Sequence, residues 1–285
     1  MADTTTTTLS EAIPIAVSSA LLELDEGDVI RPLVTNITLP GAGVRHQTPF
    51  IQRLTSEADD SLSSQALDST TSDETSPSDC TVGVHGSYVQ LKDIAALATV
   101  DDMMAVAGKL IGQSIVVRRD LDLAALFNSF TTNQGGSSAS IAPADLYDSY
   151  GRLRRYFAPL PYHAVLHPYH IWSSVGVITF FDNSADALQS FGQGSVGEAW
   201  TRNGFAGMCL GFNLWADANI PATSDVGSGA CFSREAIKVV FKRFIQFEVE
   251  RDSPEVANKI VGNEIWGEAI LRNLHGQEME FKTAA

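Results

Sequence analysis

The sequence predicts an α+β fold in which two separated parts of the chain close one domain around an inserted unit. The segment 99–130 has the apolar spacing of a long helix, and the segment 141–231 mixes short helical and strand patterns. The segment 235–281 begins with a long amphipathic strand, and its apolar face needs the helix at 99–130 to bury it. The 285 residues, 44% hydrophobic and 19% charged, suffice for one large domain or two moderate ones.

The first element is predicted to be an extended arm over residues 1–28. Its threonine run at 4–8 offers little that could pack on itself, whereas the apolar residues at 13–24 could dock elsewhere. No basic region precedes the apolar run at 13–22, which serines interrupt, so we expect neither a secretory signal nor a membrane span. The three cysteines form no CxxC pair, which predicts a protein made in a reducing compartment.

The second element is predicted to be an extended hairpin over residues 29–84. Strand-like alternation at 30–39 is followed by a turn around Gly41, and alternation returns at 81–91. Between these strands, 55–79 consists mainly of Ser, Thr and Asp and has almost no large apolar residue. Because a structureless segment of this length does not suit a compact domain, we expect the hairpin to project and to be ordered by a neighbouring subunit.

The third element is the clearest helix of the chain, over residues 99–130. Thr99 suits the N-cap, and at 1.5 Å per residue the helix would run about 48 Å, long enough to serve as a spine. Arg118 and Arg119 fall outside its predicted apolar stripe. That stripe, which we expect to face the core, consists of residues at three-and-four spacing: Met103, Val106, Leu110, Val117, Leu121 and Ala124.

The inserted unit is predicted to combine helices and strands. We expect a helix that starts with Pro143 in its first turn and runs to Tyr156, followed by a strand at 161–167. A second helix should begin at Pro168, and a further strand should occupy 205–216. The insertion is therefore an α+β unit placed between the spine helix and the final strands.

The last segment, 235–281, is predicted to contain a long amphipathic strand, a charged turn, a short helix and a closing strand. Its apolar phase shifts near Arg243, and a β-bulge would absorb that shift. A glycine-flanked strand and an Asn-Ile-Pro corner precede it at 204–221, which reads GFAGMCLGFNLWADANIP. This order resembles the C-terminal half of tailed-phage major capsid proteins of the HK97 type.

The resemblance extends over nearly the whole chain and implies four parts. In that family they are an N-terminal arm, a projecting E-loop that overlaps adjacent subunits, a P-domain with the spine helix, and an inserted A-domain. In this chain they would cover, in that order, residues 1–28, 29–84, 85–140 with 232–285, and 141–231. The resemblance thus implies self-assembly rather than catalysis.

The implied function is that of a major capsid protein, which forms the pentamers and hexamers of an icosahedral phage head around double-stranded DNA. No enzyme activity, catalytic residue, cofactor or membrane is expected. The expected partners are further copies of the chain, with portal, scaffold and cement or decoration proteins. We expect the protein in the virion, after synthesis in the bacterial host cytoplasm. The net charge of −15 suits this role, because an acidic wall repels DNA instead of adsorbing it.

Two other functions compete with this interpretation. One keeps the fold but makes the chain an encapsulin-like shell around a cargo enzyme. The other is a zinc hydrolase, because His163, His167 and His170 place three imidazoles within a short stretch. However, Pro168 prevents one helix from presenting His163 and His167 together, and in a strand their rings would lie about 13 Å apart. We therefore expect no metal site, with these three histidines as the weak candidates.

Two further patterns are predicted to be structural. The glycines at 192–197 match GxGxxG, but a polar helical stretch precedes them instead of the buried strand that a dinucleotide site needs. The acidic pairs at 120–122 and 248–252 suit a solvated charged face or a salt bridge between subunits. Neither pattern predicts a cofactor or a catalytic acid.

Overall fold

The computed structural model describes residues 28–41, 43–49, 78–92, 103–173, 176–177, 205–252 and 254–283. The strands within this part of the chain are β1 (Thr35–Thr38), β2 (Arg45–Thr48), β3 (Ser78–Thr81), β4 (Gly83–Lys92), β5 (Asn133–Gly135), β6 (Tyr162–Leu166), β7 (Phe205–Cys209), β8 (Phe212–Ala216), β9 (Ala222–Thr223), β10 (Val226–Ser233), β11 (Ile237–Asp252), β12 (Ala257–Ile270) and β13 (Gly276–Lys282). The α-helices are α1 (Met103–Ala125), α2 (Pro143–Arg155) and α3 (Pro168–Trp172). Turns of 3-10 helix lie at Arg31–Leu33, Leu126–Ser129 and Asn273–His275.

A four-stranded sheet in the order β1-β11-β12-β4 supports the spine helix α1. β1 runs parallel to β11, and the remaining neighbours are antiparallel. Gly262 of β12 lets the helix approach closely, because a Cβ atom there would lie 2.4 Å from Ile111 Cγ2. The register of β11 against β12 shifts on both sides of Arg243, which confirms the predicted bulge.

A seven-stranded mixed sheet separates two apolar clusters. Its order is β5-β13-β10-β6-β8-β7, and β9 pairs with β10. Because side chains alternate along a strand, Val165 and Phe232 belong to the cluster that includes α1, whereas Leu166 and Cys231 belong to the cluster that includes α2. The sheet therefore joins the spine helix to the inserted unit.

The spine helix exists, but its predicted orientation is wrong. α1 starts at Met103 and passes into a 3-10 turn after Ala125, whereas Thr99 lies outside the described residues. Four residues of the predicted stripe are between 40% and 51% exposed: Val106, Leu110, Val117 and Leu121. The apolar residues that α1 does bury are Ala107, Ile111, Ile115, Val116, Leu123 and Ala124. Arg119, expected outside the stripe, is only 1% exposed and lies in the core.

Two strand predictions also need correction. The strand expected at 205–216 is a hairpin of β7 and β8, which turns at Leu210 and Gly211 in left-handed conformations. The segment expected to hold a short helix instead forms the 14-residue strand β12. Among the described residues that follow it, helical structure is limited to the 3-10 turn at Asn273–His275.

Residues 28–39 belong to the core and not to a projecting hairpin. Ile30 and Val34 are fully buried in the cluster around α1, and β1 is a strand of the main sheet. The two-stranded pair of β2 and β3 forms the stem of a hairpin whose connecting residues, 50–77, lie outside the described part. The predicted hairpin therefore leaves the core after β1, later than expected. Of the predicted arm over 1–28, all residues but the last lie outside the described part, and that last residue, Asp28, is buried.

Candidate assembly surfaces

A buried ion cluster fixes the point where the chain enters the core. Arg119 of α1 donates from Nη2 to Asp28 Oδ2 at 2.5 Å and from Nη1 to Glu264 Oε2 at 3.0 Å. Its guanidinium also lies 5.7 Å from the ring centroid of Phe241 and 5.9 Å from that of Trp266. Sequence reasoning missed this cluster because periodicity alone places an arginine on the solvent side.

Asp120, the next residue of α1, also binds the segment that enters the core. Its Oδ2 accepts a hydrogen bond from the backbone N–H of Val29 at 3.4 Å, while Oδ1 is buried and has no hydrogen-bond partner among the described residues. Burial, together with the nearby carboxyls of Asp217 and Asp28, raises the pKa of Asp120 to about 8. Burial also raises the pKa of Asp217, which lies at the Asn-Ile-Pro corner after β8.

Lys238 anchors the hairpin stem to the main sheet. Its Nζ donates to Thr48 Oγ1 at 2.9 Å and to the backbone oxygen of Ser78 at 2.6 Å, so it binds both strands of the stem. Burial lowers the pKa of this amine. The signal was present in the sequence, since Lys238 is the charged residue within the apolar run of β11. The stem is thus positioned by the core.

The outward side of α1 is apolar as well. Val106, Leu110, Val117 and Leu121 lie within about 60° of one another around the helix axis, given 100° per residue. Arg118, at the edge of this arc, pairs with Asp122 one turn later at 2.9 Å. An apolar row of this kind at the centre of an exposed helix face is typical of an interaction surface.

The three candidate histidines do not converge. His163 of β6 accepts a hydrogen bond at Nδ1 from Trp215 Nε1 at 3.3 Å, and burial lowers its pKa to about 4. His170 of α3 donates from Nε2 to the backbone oxygen of Phe281 at 3.0 Å, and burial lowers its pKa to about 4 as well. His167 lies beyond the end of β6 and caps α3, with its ring centroid 6.0 Å from that of His170.

The acidic candidates differ from one another: Asp120, expected on a solvated face, is buried, whereas Asp122 and Asp252 pair with Arg118 and Lys259. Asp252 accepts a hydrogen bond from Lys259 Nζ at 2.6 Å, which lowers the pKa of the carboxyl. The glycines at 192–197 are not among the described residues. Within the described ranges, no three His, Cys, Asp or Glu side chains are grouped so that they could hold a metal ion. The prominent features of this part of the chain are therefore surfaces, and we compared its fold with known structures.

Sequence comparison gives no relatives: no protein-family model and no curated protein matches the chain. Structural comparison, in contrast, finds capsid structures that match most of the chain. The capsid of Ralstonia phage GP4 matches with a TM-score of 0.65 at 12% identity, over 91% of this chain and 92% of the other. The capsid of cyanophage P-SCSP1u matches with a TM-score of 0.63 at 14% identity, over 91% and 89%.

This chain has the HK97-like capsid fold. A virus-like particle from Pyrococcus furiosus also matches, with a TM-score of 0.60 at 10% identity over 93% of this chain and 98% of the other. The HK97-like fold spans both sheets, which agrees with a single closed unit built from separated parts of the chain. In the described part of this fold, no helix is both long and apolar enough to cross a membrane.

Proposed function

We propose that this chain is the major capsid protein of a tailed bacteriophage and that its copies build the pentamers and hexamers of an icosahedral head. The observation that carries the proposal is the HK97-like fold, which extends over about nine-tenths of the chain and of its phage-capsid neighbours. The proposed role is structural, without catalytic residues or a cofactor. The head would enclose double-stranded DNA without reading its sequence.

The surfaces described above support this role. A hairpin stem anchored by Lys238 and an apolar row on α1 are surfaces that contacts between copies could bury. The net charge of −15 opposes adsorption of DNA to the inside of a shell, so packaged DNA could slide during filling. Many modest contacts repeated around a closed shell then give a stable particle.

We assign the parts of the chain accordingly. The arm at 1–27 and the hairpin beyond β2 are proposed to contact neighbouring subunits. The four-stranded sheet with α1 is proposed to be the P-domain, and 141–231 the A-domain. Portal, scaffold and decoration proteins are the further partners we propose, with the virion as the final location and the bacterial cytoplasm as the place of synthesis.

The phage capsids among the neighbours favour a virus head over a cargo compartment. The zinc-hydrolase alternative is not favoured either, because His163 and His170 are engaged in separate hydrogen bonds in different parts of the fold. Metal analysis of the purified protein checks this directly, and stoichiometric zinc would revive the hydrolase.

Electron microscopy tests the proposal. We expect the purified full chain, alone or with its phage partners, to form closed particles of uniform diameter. In lysates of the phage that encodes it, this chain should be the most abundant protein of DNA-filled particles. A chain that stays monomeric under all these conditions, and that is missing from the particles, would overturn the proposal.

A further inference from the structure

The outward face of α2 carries charges of opposite sign at its two ends. Asp148 lies in the N-terminal half and Arg155 in the last turn, and both are exposed. Seven residues are close to two helical turns, so these two side chains lie on one face, about 10 Å apart along the axis. Tyr147 and Arg154, also exposed, repeat the same spacing beside them. The opposite face of α2 buries Leu146, Ser149 and Leu153.

The local helix dipole explains part of this pattern. Carboxylates are stabilised near a helix N-terminus and arginines near a C-terminus, so the order of charges favours the isolated helix. The dipole does not explain two further residues of the same region, Gly151 and Phe157. Each lowers the stability of the isolated subunit, for reasons that the structure makes visible.

Gly151 lies midway between the acidic and the basic end. A Cβ atom built on it would meet no described atom within 4 Å, so nothing in the described part of the subunit requires a glycine there. In a helix interior, glycine is less favourable than alanine. A flat position at the centre of an exposed helix face allows the backbone of another molecule to approach closely.

Phe157 follows α2, and most of its side chain is exposed. It has a left-handed backbone, with φ of 55°, and its side chain is 70% exposed. Its N–H donates to the backbone oxygen of Arg154 at 3.0 Å, and that of Ala158 donates to Leu153 at 3.0 Å. Glycine is the usual residue at this position of a helix end. An exposed phenyl group beside two arginines has the composition of a binding hot spot.

We infer that the outward face of α2 binds a second copy of this chain. The acidic end with Tyr147 and Asp148 on one copy contacts the basic end with Arg155 and Phe157 on the next, and Gly151 lies at the closest approach. Charge complementarity selects another copy as the partner, because both halves of the contact are present on one helix. A head-to-tail contact of this kind forms a ring where the rotation between successive copies closes. The inference rests on the self-assembly proposed above.

Exchange of the two charges is the decisive experiment. Asp148→Arg and Arg155→Asp, each alone, should lower the assembled fraction in sedimentation velocity by at least about tenfold, because like charges then meet. The double variant, which exchanges the charges, should recover most of the assembly. Failure of the double variant to recover, or wild-type assembly by both single variants, would overturn the inference.

A second experiment separates assembly from folding. Phe157→Gly and Gly151→Gln should each raise the melting temperature of the unassembled subunit, because the first relieves the positive φ and the second restores a helix former. Both should nevertheless reduce assembly. Ser224→Gly is the matched control, since it also relieves a positive φ, of 54°, but leaves α2 unchanged. We expect it to assemble like wild type.

The outcomes distinguish the two proposals. If wild type forms shells and both Phe157→Gly and Gly151→Gln do so equally well, the α2 contact is wrong and the capsid function stands. If wild-type protein forms no assembly even with its phage partners, the proposed function fails and the α2 contact fails with it.

Discussion

At the scale of single residues, several charged side chains are buried where the segment that begins at Asp28 meets α1. Asp28, Arg119, Asp120 and Glu264 all have low exposure, and Asp217 faces Asp120 from the inserted unit. Buried charges stabilise a fold only where their partners remain in place. Substitutions in this cluster and changes of pH should therefore both alter the stability of the subunit.

Replacement of Arg119 by methionine should be strongly destabilising. Asp28 and Glu264 would lose their shared partner inside the core, and an unpaired buried charge costs about 3–5 kcal/mol. The neighbouring Arg118→Met is a matched control, because its pair with Asp122 is exposed on the arginine side and should contribute less than about 0.5 kcal/mol. Urea unfolding of the two unassembled variants measures the difference. Equal losses would show that the cluster does not stabilise the junction.

Asp120 should make subunit stability depend on pH. Its pKa is about 8 in the folded state against an ordinary 3.8, so the folded state holds its proton more tightly than the unfolded state. The resulting stabilisation is complete below about pH 4 and is lost as the pH rises through about 8. Asp120→Asn, which keeps an oxygen for the Val29 N–H, should melt higher than wild type at pH 8 and show a shallower decline between pH 4 and 8.

Melting temperatures of unassembled protein across this range measure that effect. Glu248→Gln serves as the control, since it removes an exposed carboxylate from β11 and should leave the slope unchanged. Parallel slopes for wild type and Asp120→Asn would contradict the assignment.

At the scale of elements, α1 has one buried side and one exposed apolar side. One side packs on β12 and on the 3-10 turn that follows α1, and the other side presents its own apolar row to solvent. Adjacent residues on the two sides should therefore respond differently to the same substitution.

Ile111→Ala and Leu110→Ala test the orientation of α1. Ile111 is fully buried against Gly262, so its truncation should cost about 2–5 kcal/mol of unfolding free energy. Leu110 is 51% exposed, so the same truncation should cost less than about 1 kcal/mol in the unassembled subunit. Denaturant unfolding of the two variants measures both losses of unfolding free energy. A larger loss for Leu110→Ala would restore the orientation that the sequence predicted.

Sequence reasoning found the helix but not its buried side, and the reason is physical. α1 is apolar on both sides, and one fully buried position is an arginine, so three-and-four spacing fits either face. β12 was missed for a different reason. Its Ile, Val and Trp residues favour a strand, so local propensity gave the expected helix no support. Its pairing with β4, which is distant in sequence, could not be read from the sequence. Turns, the bulge at Arg243 and the helix from Pro143 depend on local residues, and those predictions hold.

At the scale of the whole molecule, the fold and the order of its elements were accessible from the sequence, whereas the surfaces proposed for assembly were not. The faces of α1 and α2 became visible only once packing had assigned an inside and an outside. Lys238 shows the same dependence, because only the hairpin stem above the sheet explains a buried amine in β11.

Shortening the hairpin tip should separate folding from assembly. Replacement of 55–74 by a short Gly-Ser linker leaves β3 and the contacts of Lys238 with Thr48 and Ser78 in place. The unassembled subunit should then melt within about 3 °C of wild type, since loop length has a weak effect on stability. Closed shells should no longer form in electron micrographs. A variant that has lost its cooperative melting transition would show instead that the tip is part of the core.

The pairing of β1 with β11 has a consequence during synthesis. The four-stranded sheet combines Thr35–Thr38 with Ile237–Ile270, which are far apart in sequence, so a nascent polypeptide cannot complete it until β12 has been translated. Translation products that end before β12 would lack this sheet, and with it the buried side of α1. In the proposed head, particle growth would thereby recruit polypeptides that include β12 and leave shorter fragments to proteolysis.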